Sequence, residues 1–177
     1  MRKILIILFL SFFYGNAQKI TTKTGVVSFD GSVVNFEPVR AKNESVTCVL
    51  NTKNGQIASL ILVKGFRFKT ALMEEHFNEN YIESAKYPKA ILKGKLVDFN
   101  INDISATPKT YVLKGKLELH GEKNDININV SVSKSDTGIN IDSNFVLNAS
   151  DYNIDIPAFV RAKMLNGMKV KVNFNLL

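Results

Sequence analysis

The sequence predicts an all-β fold, an antiparallel eight-stranded barrel with one short helix, at about residues 70–86, covering an end. Three observations lead to this prediction. Apolar and polar residues alternate along most of the chain, turn sequences separate the alternating runs, and a single segment has helical spacing instead. Because successive side chains of a strand point to opposite faces, alternation is typical of strands with one buried and one solvated face.

Alternation is clearest at residues 126–133, where Ile or Val occupies every second position and Asn or Ser occupies the positions between. The same period recurs in residues 111–119, 139–147 and 170–176. Shorter apolar runs bring the total to about eight or nine predicted strands. These further runs are residues 24–28, 33–36, 46–51, 57–68 and 90–101.

Turn sequences fall between these runs at the spacing of an antiparallel all-β domain. Asn54-Gly55 is the strongest of them, because Asn-Gly tolerates the positive φ angles of a two-residue hairpin turn. The others place Asp, Asn or His close to a glycine, at residues 29–31, 120–122, 136–138 and 166–167. No stretch resembles a linker between domains, so we expect a single folded domain.

Residues 70–86 break the alternation. Met73, Phe77 and Tyr81 recur at every fourth position, which places them on one face of a helix. Tyr87-Pro88 is predicted to end this helix, since the residue before a proline is pushed towards extended geometry. The apolar face of the helix needs a packing partner, so we expect the helix to cover an open end of the barrel.

Residues 1–17 have the pattern of a secretory signal peptide. Arg2 and Lys3 precede an apolar stretch that is shorter than the roughly 20 residues of a membrane-spanning helix. Gly15-Asn16-Ala17 resembles a cleavage site of small residues. We therefore expect residues 18–177 to form the mature domain and to act outside the cytoplasm.

The chain has 177 residues and is 45% hydrophobic, which is enough for a sizeable core. Cys48 is the only cysteine, so an intramolecular disulfide and a cysteine-based zinc ribbon are both excluded. Cys48 lies in an apolar, strand-like run, which predicts a buried thiol that behaves as a small hydrophobic side chain.

Catalytic patterns are missing from the sequence. His76 and His120 are the only two histidines, and the chain has neither a Gly-x-Ser-x-Gly nucleophile turn nor a glycine-rich phosphate loop. A helical histidine next to glutamates, with no second histidine at helical spacing, is a poor metal site. We therefore expect no catalytic residue, no metal and no cofactor.

The formal net charge is +7, which raises the question of an anionic partner. The lysines at positions 93, 95, 114, 116, 169 and 171 mostly alternate with apolar residues, which is typical of a solvated outer strand face, so we expect no nucleic-acid partner. Two other partners stay open. One is an anionic membrane surface, and the other is a second copy of the chain paired through an exposed strand face.

The interior of an eight-stranded barrel holds either packed side chains or one small ligand. Periodicity does not separate these outcomes, because the inward face is apolar in both. Three hypotheses therefore stay open at this point: a ligand-binding barrel, a filled barrel that acts through protein contacts, and a barrel enzyme that uses His76, His120 or Tyr81.

Residues 66–94 resemble the YceI-like family, whose members carry a strand, a short helix and a Lys-Tyr-Pro turn into the next strand. Residues 117–123 are similar to the strand and turn that follow in that family, and residues 145–157 to its late strand and loop. The resemblance implies a lipocalin-like barrel, located in the bacterial periplasm or secreted, that encloses a long isoprenoid or another long-chain lipid. It implies no catalysis.

On this hypothesis one phase of the strands lines the lipid site. Each buried methylene contributes roughly 0.8 kcal/mol, so a hydrocarbon tail can bind without a dedicated polar residue. Phe77 and Tyr81 would close one mouth, and Tyr81 or Tyr111 would offer a hydroxyl to a head group. The candidate lipid-lining residues are Ile61, Val63, Phe66, Phe68, Phe77, Tyr81, Leu92, Leu96, Tyr111, Leu113, Leu117, Ile128, Val130, Phe145 and Leu147.

Overall fold

The computed structural model describes residues 18–32, 39–156 and 164–177. These residues form a closed eight-stranded antiparallel barrel with one short helix, which confirms the predicted fold class. The predicted signal peptide, residues 1–17, and the predicted strand 33–36 lie outside the described residues.

The described residues contain nine strands, eight of which close the barrel. Around its circumference the order is β1-β9-β8-β7-β6-β5-β3-β2, and β2 pairs with β1 to complete the ring. The two-residue strand β4 pairs with the start of β2 outside this ring. In chain order the elements are β1 (Lys19–Ser32), β2 (Arg40–Asn51), β3 (Gln56–Leu62), β4 (Arg67–Phe68), α1 (Ala71–His76), β5 (Lys89–Leu96), β6 (Lys109–Leu119), β7 (Glu122–Lys134), β8 (Ile139–Leu147) and β9 (Met164–Leu176).

Three of the predicted turns join consecutive strands. Gly55, with a φ of 73°, lies in the connection between β2 and β3. His120 and Gly121 have φ angles of 51° and 81° and form the two-residue turn between β6 and β7, as expected for a hairpin of the positive-φ type. Residues 136–138 connect β7 to β8.

Two other predicted turns are wrong. Residues 29–31 belong to β1, and residues 166–167 belong to β9. The register of β1 against β9 shifts between Asp30 and Ser32, and Gly167, with a φ of 108°, lies within the extra residues of β9 at this bulge. The glycine therefore bends a continuous strand instead of ending it.

Two predicted strands are shorter than expected. The predicted strand 57–68 is interrupted by a 3-10 turn, Val63–Gly65, and the predicted strand 90–101 ends at Leu96. The side-chain amide of Asn43 donates to the carbonyl oxygen of Leu62 at 2.9 Å. This carbonyl therefore has a hydrogen-bond partner at the point where β3 leaves the sheet.

The helix is also shorter than predicted. After α1 the chain continues as one π-helical turn, Phe77–Tyr81, in which the backbone N–H of Ile82 donates to the carbonyl oxygen of Phe77 at 2.9 Å. Glu83 then adopts a φ of 46°, which a helix does not tolerate. The helical segment therefore ends at Tyr81 and not at Tyr87-Pro88.

The barrel end that lies away from the helix is filled with side chains. Leu50, Leu96 and Leu176 are completely buried there, and the ring of Tyr111 packs against Phe99 with centroids 5.6 Å apart. Cys48 is equally buried, as the sequence predicted, and this burial raises the pKa of its thiol to about 12. No helix within the described ranges is long and apolar enough to cross a membrane.

Candidate functional site

The barrel encloses a cavity of about 640 Å³ above this filled end. Inward-facing Ile, Val, Leu and Phe side chains form most of its wall, and its volume falls in the range of small-molecule sites. The cavity reaches the surface beside α1, where Leu72 lines it and keeps 62% of its surface exposed. The barrel is therefore not filled throughout, which answers a question that periodicity left open.

The floor of the cavity is continuous with the packed core. Ile57 lines the cavity and pairs with Leu50 of the filled end. Leu113 likewise lines the cavity and pairs with Leu96 of the filled end. Ile141 and its partner Phe174 line the floor on the other side of the barrel. All these side chains are buried, and the cavity therefore ends blindly.

Four phenylalanines form an aromatic cluster near the mouth. Phe77, from the helical segment, contacts Phe29, Phe66 and Phe68, and the ring-centroid distances within the cluster run from 5.0 to 5.9 Å. Tilted and edge-to-face aromatic pairs of this kind contribute more than their buried area alone. The helical segment thus packs over the mouth through Phe77, in agreement with its predicted position.

Glu74 anchors α1 to the adjacent strand. Its Oε1 accepts from Arg67 Nη1 at 2.8 Å, and its Oε2 accepts from the backbone N–H of Phe68 at 3.2 Å. At the start of the helix the Thr70 hydroxyl accepts from the backbone N–H of Met73, which caps a free helix donor. These contacts fix the orientation in which Phe77 faces the aromatic cluster.

The structure places thirteen of the fifteen candidate lipid-lining residues on the cavity wall. Whether they contact a ligand stays a prediction. The thirteen are Ile61, Val63, Phe66, Phe68, Phe77, Tyr81, Leu92, Leu113, Leu117, Ile128, Val130, Phe145 and Leu147.

The other two candidates, Leu96 and Tyr111, are not among the residues that line the cavity. Both face inward, as alternation requires, but they lie below the floor in the packed core. The Tyr111 hydroxyl is buried there without a hydrogen-bond partner among the described residues, so it does not reach a head group in the cavity. Tyr81 is the candidate hydroxyl that does line the cavity.

Sequence reasoning missed two polar strand residues of the cavity wall, Ser59 on β3 and Ser143 on β8. Both have the phase of their apolar strand neighbours, so alternation already placed them inward. An apolar pattern gives no signal for a small polar side chain on the same face. No Lys, Arg, Asp or Glu is found among the described lining residues.

Two of the three alternative residues of the enzyme hypothesis lie at the cavity. His76 and Tyr81 line the mouth, whereas His120 lies outside the cavity. The His120 Nδ1 is 3.0 Å from the carbonyl oxygen of Tyr152, and its Nε2 is 2.9 Å from Glu83 Oε2. Within the three described ranges, no group of three or more His, Cys, Asp or Glu side chains is arranged to hold a metal ion.

A closed antiparallel barrel with an apolar cavity at one end defines a lipocalin-like all-β protein. The sequence profile of the YceI-like domain matches residues 17–177, and the chain therefore belongs to the YceI-like family. This confirms the resemblance noted in the sequence. No curated protein matches the chain by sequence.

Solved structures share the fold at low sequence identity. A polyisoprenoid binding domain from Saccharophagus degradans, implicated in plant cell wall breakdown, gives a TM-score of 0.73 at 15% identity over 88% of this chain and 95% of that domain. BcnA from Burkholderia cenocepacia gives 0.70 at 14% identity, over 84% of this chain and 94% of its own. The YceI protein of Campylobacter jejuni gives 0.61 at 12% identity, over 81% and 88% respectively.

Proposed function

We propose that the protein binds a long-chain amphiphile, a polyisoprenoid or another lipid, in the barrel cavity, and that it sequesters or carries this lipid without catalysis. The observation that carries the proposal is the apolar cavity of about 640 Å³. Membership of the YceI-like family and the likeness to a polyisoprenoid binding domain support it.

Burial of apolar surface supplies the binding free energy. At roughly 0.8 kcal/mol for each buried methylene, a tail of ten carbons would gain about 8 kcal/mol before the costs of association. Such binding needs no reactive group, which fits a wall of aliphatic and aromatic side chains. A cavity of this size, enclosed by apolar side chains, supports the lipid-binding proposal over the alternative of a filled barrel that acts through protein contacts alone.

We propose a periplasmic or secreted location, supported by the signal-peptide pattern of residues 1–17. A carrier outside the cytoplasm would exchange its lipid with membranes. Recovery of the protein from the periplasm or the medium, with a new N-terminus at Gln18, tests the location. Retention of residues 1–17 on a cytoplasmic protein would contradict it.

We further propose that the outer wall of β5 and β6 contacts an anionic membrane surface. Lys93 lies directly opposite Lys116, and Lys95 directly opposite Lys114. Like charges opposite each other destabilise a sheet, and within the described part of the chain an ion pair to Asp125, at 2.8 Å, is seen for Lys116. An anionic surface would offset the repulsion.

Vesicle sedimentation tests this contact. Binding to vesicles that contain phosphatidylglycerol should weaken in Lys93→Glu with Lys95→Glu, and should hold in a control with Lys23→Glu and Lys53→Glu on other parts of the surface. Equal binding by both double variants would contradict the assignment. Pairing of two copies stays a separate prediction, which light scattering of the purified protein checks.

The ligand experiment is native mass spectrometry of the purified mature protein, followed by extraction into organic solvent. We expect a bound species whose excess mass equals that of an extracted lipid. The apo mass alone, across several preparations and after incubation with geranylgeraniol, would contradict the proposed function.

A further inference from the structure

Two serine side chains interrupt the apolar wall deep in the cavity. Ser59 lies on β3 between Ile57 and Ile61, and all three residues line the cavity. On β8, Ser143 stands between the floor residue Ile141 and Phe145. Each serine is therefore one inward position above the floor on its own strand.

The two serines lie on opposite walls of the barrel. In the ring of eight strands, β3 and β8 are four positions apart, which is half of the circumference. Both residues are more than nine-tenths buried, with 6% of their surface exposed. A ligand that reached the floor would pass between the two strands that carry them.

The hydroxyl groups have unused hydrogen-bonding capacity. Ser143 Oγ donates to the carbonyl oxygen of Asn129 at 2.7 Å, so its oxygen is free to accept. The Ser59 hydroxyl has no side-chain hydrogen bond within the described part of the chain. Because Ser59 lines the cavity, a ligand oxygen that reached its hydroxyl would gain a hydrogen bond.

The same surroundings disfavour a charged ligand group. The described lining residues include no Lys or Arg to pair with a carboxylate or a phosphate, and the remaining wall beside the serines is aliphatic and aromatic. A charge moved into such a wall would lose its hydration without compensation.

We propose that the Ser59 hydroxyl forms a subsite for an uncharged oxygen group, a hydroxyl or a carbonyl, carried by a long-chain lipid, and that Ser143 supplies a second hydroxyl on the opposite wall. This polar group binds deep in the barrel, and the hydrocarbon tail runs towards Phe77 and the mouth. The subsite rests on the proposed lipid-binding function and specifies the chemical class of the lipid.

The test uses the delipidated mature protein and three probes of equal chain length: tetradecane, 1-tetradecanol and tetradecanoate. Each competes with the fluorescent apolar probe N-phenyl-1-naphthylamine. We expect the alcohol to bind at least about 5-fold more tightly than the carboxylate at pH 8. Ser59→Ala should weaken alcohol binding about 5-fold and leave tetradecane binding unchanged, because one hydrogen bond is lost and little volume is removed.

Two further variants test whether alcohol binding needs a hydroxyl at position 59, and whether a serine that faces away from the cavity matters. Ser59→Thr keeps a hydroxyl and should keep the preference for the alcohol. Ser28→Ala removes a serine from the outer phase of β1, between the lining residues Val27 and Phe29, and should change nothing. Thermal unfolding followed by circular dichroism establishes that each variant is folded.

The outcomes distinguish this inference from the function on which it rests. The subsite is wrong, and lipid binding stands, if the wild-type protein binds tetradecane but binds 1-tetradecanol no more tightly than tetradecanoate. The same holds if Ser59→Ala weakens the binding of tetradecane and of 1-tetradecanol equally. Preferred binding of tetradecanoate also overturns the subsite. If no probe binds, including N-phenyl-1-naphthylamine, the proposed function is wrong and the subsite falls with it.

Discussion

Glu83 and His120 are 37 positions apart in the chain, and their side chains meet at 2.9 Å between Oε2 and Nε2. The other ring nitrogen of His120 donates to the carbonyl oxygen of Tyr152 at 3.0 Å, and the ring of Tyr87 packs against the imidazole at 4.3 Å between centroids. One histidine thus joins the segment after the helix, the β6–β7 turn and the turn that follows β8.

Removal of this imidazole should destabilise the fold. His120→Ala leaves the carbonyl of Tyr152 without its donor and opens a space beside Tyr87, so we expect a loss of about 1–3 kcal/mol in the free energy of unfolding. Denaturant titration measures it. His76→Ala, at an exposed position on α1, is the matched control and should stay within about 0.5 kcal/mol of the wild type.

Because His120 lies outside the cavity, His120→Ala should still retain lipid at a temperature where it is folded. Lipid turnover that vanished in this variant would favour the enzyme hypothesis instead.

Phe77→Asp should sharply reduce the lipid retained by the purified protein. The change places a carboxylate in the aromatic cluster at the mouth, where Phe77 now contacts Phe66 and Phe68, and a charge there is poorly solvated. Quantification of extracted lipid per mole of protein measures the effect.

Two controls accompany this variant. Glu75→Ala changes an exposed residue of the same helix and should retain lipid as the wild type does. Phe77→Leu keeps an apolar side chain and should lose less lipid than Phe77→Asp. Equal retention by all three variants would remove the helical segment from the binding site.

Stability should fall at alkaline pH partly because of Cys48. Burial raises the pKa of its thiol from 9.0 to about 12. Below pH 9 the thiol is protonated in both the folded and the unfolded state. Between pH 9 and 12 the unfolded chain releases this proton and the folded protein keeps it, so stability decreases as pH rises.

Comparison with Cys48→Ala isolates this effect from other titrating groups. Between pH 8.5 and 10 the wild type should lose about 1–2 kcal/mol more than the variant, as measured by denaturant titration at the two pH values. Parallel losses in both proteins would show that the thiol ionises equally in the folded and unfolded states.

Gly115→Ala should destabilise the barrel. Gly115 pairs with Gly94 between β6 and β5, and a methyl group at Gly115 would collide with the carbonyl oxygen of Lys93 and with the Gly94 backbone. We expect a loss of about 1–3 kcal/mol by thermal or chemical unfolding. Lys114→Ala, at the exposed neighbouring position, should have almost no effect, and an equally mild Gly115→Ala would refute the close approach.

The sequence predicted the inward face of each strand better than the depth along it. Alternation placed Leu96 and Leu113 on the inward face, but it carries no information about height along the barrel axis. Register decides the height: Leu113 lines the cavity, and its partner Leu96 lies beneath the floor. That register depends on contacts between strands, which no local pattern contains.

The ends of elements were predicted less well for a related reason. The helical segment stops at Tyr81 because of the bond from Ile82 to Phe77 and the positive φ of Glu83, and both depend on how the next residues pack. Similarly, Gly167 looked like a turn residue, although pairing of β9 with β1 and β8 keeps it inside a strand.

The packed floor has a consequence for how the protein would exchange cargo. With Leu50, Leu96 and Leu176 closing one end, a molecule cannot traverse the barrel, and it must leave by the route along which it arrived. Loading and unloading then share one transition state, so a change at the mouth that speeds uptake also speeds release. Direction of transfer would be set by the membranes that donate and receive the lipid, and not by the barrel.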